Sequence, residues 1–164
     1  MLLSSCARAA TAAETRYRID APIAPARGAR VIALDGAAAE VAGRAATHSW
    51  ANAAFLVCEG VAPGADAATE VLLLRGIDGS PAVLSEPLVD ANVVVMVASH
   101  DAGAECAPAI GRACAARGIM TAGLVFGTDR QAGGALAALR PYARVLLPSA
   151  DESDLIELLT ALRA

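Results

Sequence analysis

The sequence predicts a single-domain, three-layer α/β sandwich with a mostly parallel, doubly wound sheet, and three observations predict it. Asn92-Val93-Val94-Val95-Met96-Val97-Ala98 is a continuous apolar, β-branched run, the pattern of a strand covered on both faces. That run is followed by the polar loop Ser99-His100-Asp101-Ala102-Gly103, an Ala-rich stretch from Glu105 to Arg117 and a second apolar run from Ile119 to Phe126, which together read as one βαβ unit. Strand-like and helix-like stretches then alternate along the chain, which favours a parallel sheet with right-handed crossovers.

Taken in order, residues 1–28 are rich in Ala, Arg and Ser, and Pro22 and Pro25 break any periodicity. They read as a loosely docked N-terminal arm with a short strand at Tyr17-Arg18-Ile19, and residues 29–164 read as the α/β domain. Arg30 to Leu34 is the first core strand, Asp35-Gly36 the turn, Ala37 to His48 a helix, and Ala53 to Cys58 the second strand. Pro63 to Asp66 makes a turn, Val71 to Leu74 leans towards strand, and the Gly, Pro, Asp and Ser of Gly76 to Pro87 read as loop. After the central unit, Thr128 and Asp129 are N-cap residues for a helix from Gln131 to Leu139 whose start Gly133 and Gly134 weaken. Ala143 to Leu147 is the last strand, Pro148 to Asp151 a turn, and Glu152 to Leu162 an amphipathic helix. Leu155, Ile156, Leu158, Leu159 and Leu162 mark its inner face, and its acidic first turn complements the helix dipole. The result is a Rossmann-like arrangement.

The chain has 164 residues, enough for one domain with a full core. Aromatics are 3% of the chain, so the core is built from Ala, Val, Leu and Ile. All 13 basic residues are Arg, and the net charge is −4 with no basic run, which argues against nucleic acid and anionic membranes as partners. No apolar run approaches the roughly 20 residues a membrane-spanning helix needs. Cys6, Cys58, Cys106 and Cys114 show no CxxC or metal-finger spacing, and the reading is reduced, buried thiols in a cytoplasmic protein. Cys106 and Cys114 lie eight residues apart and share one helix face as small core residues.

Several segments resemble the nucleotide-binding half of the FtsZ/tubulin family. Arg30-Val31-Ile32-Ala33-Leu34-Asp35-Gly36-Ala37-Ala38-Ala39 is similar to its first strand and glycine-rich turn, and Gly118 to Val125 to the strand after its signature helix. Leu136 to Arg140 and Arg144 to Asp151 follow in the order of its next helix, strand and turn, so the likeness spans roughly residues 29–155. The resemblance implies a site in which backbone N–H groups of glycine-rich loops cradle phosphates, since only glycine lets the backbone approach so closely. This chain departs from that pattern. Ala37, Ala38 and Ala39 flank Gly36, Asp35 places a negative charge beside the phosphate position, and Asp101 and Glu105 stand in the second loop. Such charges oppose a triphosphate unless a metal intervenes. The family's central helix, acidic loop and second domain have no counterpart in the matched span. The expectation is therefore a degenerate, non-catalytic relative, a binding or interaction module that has lost GTPase activity.

Strand-end loops converge at the topological switch point of such a sheet. Asp35, Gly36, Ser99, His100, Asp101, Gly103, Thr128 and Asp129 are the candidate ligand-binding residues there. The same residue types also serve as helix caps and turn formers in any α/β protein. Consecutive Ser99, His100 and Asp101 cannot converge on one reacting atom, and no G-x-S-x-G elbow is present, so no catalytic triad is assigned. His100 pairs instead with a distant group such as Asp35, as a base or a metal ligand, or stays an exposed or capping histidine. Trp50 either anchors a partner or closes the core beside a helix end. No metal site is assigned and the cofactor is left open. The partners expected are a second copy of the chain, another protein or a small molecule. A small-molecule or nucleotide-binding protein, enzymatic or not, is the alternative function.

Overall fold

The computed structural model describes residues 26–63, 70–127 and 129–164. The strand expected at Tyr17 to Ile19 and the turn from Gly64 to Asp66 lie outside them. Among the described residues, seven strands and four helices follow in the order β1 (Ala29–Ala33), α1 (Gly36–Ala45), β2 (Ala53–Pro63), β3 (Glu70–Gly76), β4 (Pro81–Val83), β5 (Val93–Ala98), α2 (Cys106–Arg117), β6 (Met120–Phe126), α3 (Asp129–Leu139), β7 (Val145–Ala150) and α4 (Glu152–Leu162). The strands form one mostly parallel sheet in the order β4-β3-β2-β1-β5-β6-β7, an α/β architecture consistent with a Rossmann-like fold. β2, β1, β5, β6 and β7 run parallel, with Val31 opposite both Phe55 and Val95. β3 and β4 are antiparallel additions beyond β2.

Every residue of β1 and of β5 is buried, as a run without polar alternation requires. Alternate side chains of these strands enter different core clusters. Ile32, Val94, Met96 and Ala98 pack with Ile110 and Cys114 of α2 and Ala135 and Leu139 of α3. Val31, Ala33, Val95 and Val97 pack with Ala38 and Ala42 of α1 and Leu155 and Leu159 of α4. Alanine dominates the buried positions of α1, so that helix meets the sheet through side chains of a single methyl. Trp50 packs against the second cluster, and its Nε1 donates to the Ala45 carbonyl at 2.9 Å, closing the core at the end of α1.

Several elements differ from the sequence reading, and β2 runs on to Pro63, past the expected end at Cys58. The segment Gly76 to Pro87 is not all loop: Pro81–Val83 pairs with β3, and Pro81 is tolerated because β4 is the sheet edge. Strands and helices consequently do not alternate throughout, because β2, β3 and β4 follow one another by antiparallel pairing and the turns at 84–90 lead back to β5. Arg30 fastens that return, its Nε donating to the Pro87 carbonyl at 2.8 Å. Pro148 to Ala150 belongs to β7 and not to a turn. β7 is the opposite edge, where a missing N–H costs nothing, and the pairing shifts register between Leu124 and Phe126.

Cysteine chemistry also differs. Cys58 of β2 and Cys106 of α2 form a disulfide, while Cys114 is buried and free. The two runs hold their sulfurs together through tertiary packing across 48 residues, which no local spacing announces. The bond departs from the reduced state expected of Cys58 and Cys106, whereas Cys114 is buried and free as expected and Cys6 lies outside the described residues. Cys106 and Cys114 do share one buried face of α2. Among the described residues, no helix is long and apolar enough to cross a membrane.

Candidate functional site

The parallel strands in chain order take the spatial arrangement 2-1-3-4-5, one of the common doubly wound orders, so the direction of winding reverses between β1 and β5. α1 leaves β1 towards one core cluster and α2 leaves β5 towards the other. The loops at the carboxyl ends of these two strands therefore flank the switch point, as expected.

Asp35 stands at its centre. The residue is extended (φ −137°), buried, and the N-cap of α1, where its Oδ1 accepts from the Ala38 N–H at 2.9 Å. Oδ2 reaches the neighbouring strand-end loop and accepts from the N–H groups of Ser99 at 2.6 Å and His100 at 3.0 Å. One carboxylate thus receives backbone donors from both loops. Such donors at a helix N-terminus and a strand-end turn are the groups an anionic ligand ordinarily uses. The His100 ring is half exposed, with Nδ1 3.8 Å from Asp35 Oδ1. Its backbone N–H and its ring thus lie on the same carboxylate, with the ring half exposed.

The other residues hold this loop in place. Ser99 is buried. Asp101 turns to α3, where its Oδ1 accepts from the Ala135 N–H at 2.9 Å, just beyond a break at Ala132 (φ −136°, ψ 23°). That bond caps the continuing part of α3 from a distant loop. Gly103 has φ +77°, and a Cβ there would overlap the Leu34 carbonyl oxygen, so only glycine lets the loop press onto the end of β1. Gly36 is different. It opens α1 with no atom within 4 Å of an added Cβ, so neither its backbone nor its surroundings demand glycine. Asp129 opens α3 rather than preceding it, while Thr128 lies outside the described residues.

The structure therefore joins Asp35, Ser99 and His100 by hydrogen bonds, with Gly103 packed behind them against Leu34. Asp101 is drawn instead to α3. The long-range bond to Ala135 was missed in the sequence, and the weak helical start at Gly133-Gly134 was its single signal. Among the described residues, no group of three or more His, Cys, Asp or Glu side chains is placed to hold a metal ion. Clefts of about 280 and 340 Å³ open elsewhere, one beside Leu84 and Arg117 and one beside Tyr142 and Arg144. Comparison with protein-family models and with curated proteins finds no match to this chain.

Proposed function

We propose that this chain is a non-catalytic, single-domain, three-layer α/β module related to the FtsZ/tubulin nucleotide domain, acting by binding or interaction and not by GTP hydrolysis. One observation carries the reading: the Asp35 carboxylate takes the amides of Ala38, Ser99 and His100 that a phosphate would need. An internal anion already satisfies these donors, and a bound phosphate would sit against it at a like-charge penalty. Pairing of two copies belongs to the same reading, supported by Met120 and Val145, which are 39% and 50% exposed near the β7 edge.

The test is titration of the purified protein with magnesium GTP and magnesium ATP, read by melting temperature and by phosphate release. The expected result is no stabilisation and no release above buffer, since a ligand of the native state would raise the melting temperature. Turnover, or saturable stabilisation by either nucleotide, refutes it. Light scattering that gives a monomer at high concentration removes the homodimer.

The Asp35–His100 pair favours a second reading, a small-molecule site at the same loops for a ligand without dense negative charge. Half exposed and backed by a buried carboxylate, His100 is suited to accept or donate one proton to such a ligand. A melting-temperature screen with neutral and cationic small molecules tests it. A hit that persists undiminished in His100→Ala assigns the ligand to another place.

A further inference from the structure

We propose that the Cys58–Cys106 pair is a thiol–disulfide switch that sets the order of the strand-end loop 99–105. Cys106 is the first residue of α2 and follows that loop directly, while Cys58 lies in β2 where its pairing with β3 shifts register. The loop is held at its beginning by the Asp35 carboxylate and in its middle by the fit of Gly103 onto Leu34. At its far end Glu105 makes no side-chain capping bond to α2. The disulfide is the covalent anchor at that end, tying the start of α2 to the sheet beside the core packing of Ala104 and Ala107.

Access decides how the bond opens. Cys106 is 1% exposed and Cys58 is partly exposed, so an external thiolate attacks the Cys58 sulfur. A bond forms between the two sulfurs, the Cys58–Cys106 bond breaks, and its electron pair leaves on the Cys106 sulfur. The second thiolate of a small dithiol then attacks the mixed disulfide and releases Cys58. The dithiol is oxidised to its cyclic disulfide by two electrons, and both cysteines take up protons as thiols. Cys114 stays out of this exchange. Burial pushes its thiol up to about 11 despite the opposing charge of Arg117, and thiolate is the reactive form. The switch is independent of what the loop binds, and its readout needs no ligand.

The test uses the full chain after exposure either to oxidised glutathione or to a dithiol. Peptide mapping with differential alkylation is expected to give a Cys58–Cys106-linked peptide in the first sample and two alkylated peptides in the second. Amide hydrogen exchange at residues 99–106 is expected to rise about tenfold on reduction, while β5 and β6 stay protected. Cys58→Ser should exchange at the faster rate in both buffers, and Cys114→Ser should behave as the parent. Complete alkylation of both cysteines after glutathione treatment overturns the proposal, as does equal exchange of the loop in the two states. An equal rise throughout β5 and β6 also overturns it, because the bond would then hold the whole fold and not the loop.

Discussion

Replacing Asp35 by alanine removes three hydrogen bonds at once. The N-cap bond to Ala38 is worth about 1 kcal/mol. The bond from Ser99 leaves a buried N–H without a partner, at about 1–3 kcal/mol. The His100 N–H is only partly buried and recovers most of its loss from water. These terms are not additive among neighbours, so the expected destabilisation is roughly 3 kcal/mol, within about 2–4. Urea unfolding followed by circular dichroism measures it as a lower midpoint at an unchanged slope. The substitution also frees the amides that an anion would use. Inorganic phosphate at about ten times its dissociation constant should then restore roughly 1.4 kcal/mol to the variant and nothing to the parent. A loss below about 1 kcal/mol, with no phosphate effect, would refute the reasoning, because the strand-end amides would then be solvated without Asp35.

Other substitutions separate structural from dispensable residues in the same loops. Gly103→Ala should destabilise by at least about 1–2 kcal/mol, since the side chain meets both a left-handed backbone and the Leu34 carbonyl. Gly36→Ala, in open space at the start of α1, should be neutral or raise the melting temperature by up to about 1 kcal/mol equivalent. Asp101→Ala should cost about 1 kcal/mol in urea unfolding through the lost cap on α3, with Asn recovering most of it. Hydrogen bonds from the Ser153 hydroxyl and then the Asp154 N–H hold the Asp151 carboxyl below its ordinary value. Its support for α4 is therefore complete above the ordinary carboxylate range and lost as pH falls through the lowered value. Acid titration of helicity should show that loss in the parent and a weaker one in Asp151→Ala.

The elements with a strong local signature stand where the sequence puts them. β5, α2 and α4 match to within a residue, because a β-branched run, a glycine stop at Gly118 (φ +67°) and an Asp151 capping box act within a few positions. The switch point was also visible, since it follows from the order of the strands. What local pattern could not show depends on neighbours. β4 exists because β3 offers it an edge, and Pro148 enters β7 because, among the described residues, no strand lies beyond it. The Cys58–Cys106 bond, the Asp101–Ala135 cap and the Ser99–Asp35 bond each join residues at least 34 positions apart. Composition, the central βαβ unit and the negative charges beside Gly36 and in the second loop were determined by sequence alone. Tertiary structure decided where those charges point, and it turns Asp35 inward onto both loops. A carboxylate can satisfy several amides only when folding brings their donors within 3 Å, and that is a property of the assembled sheet.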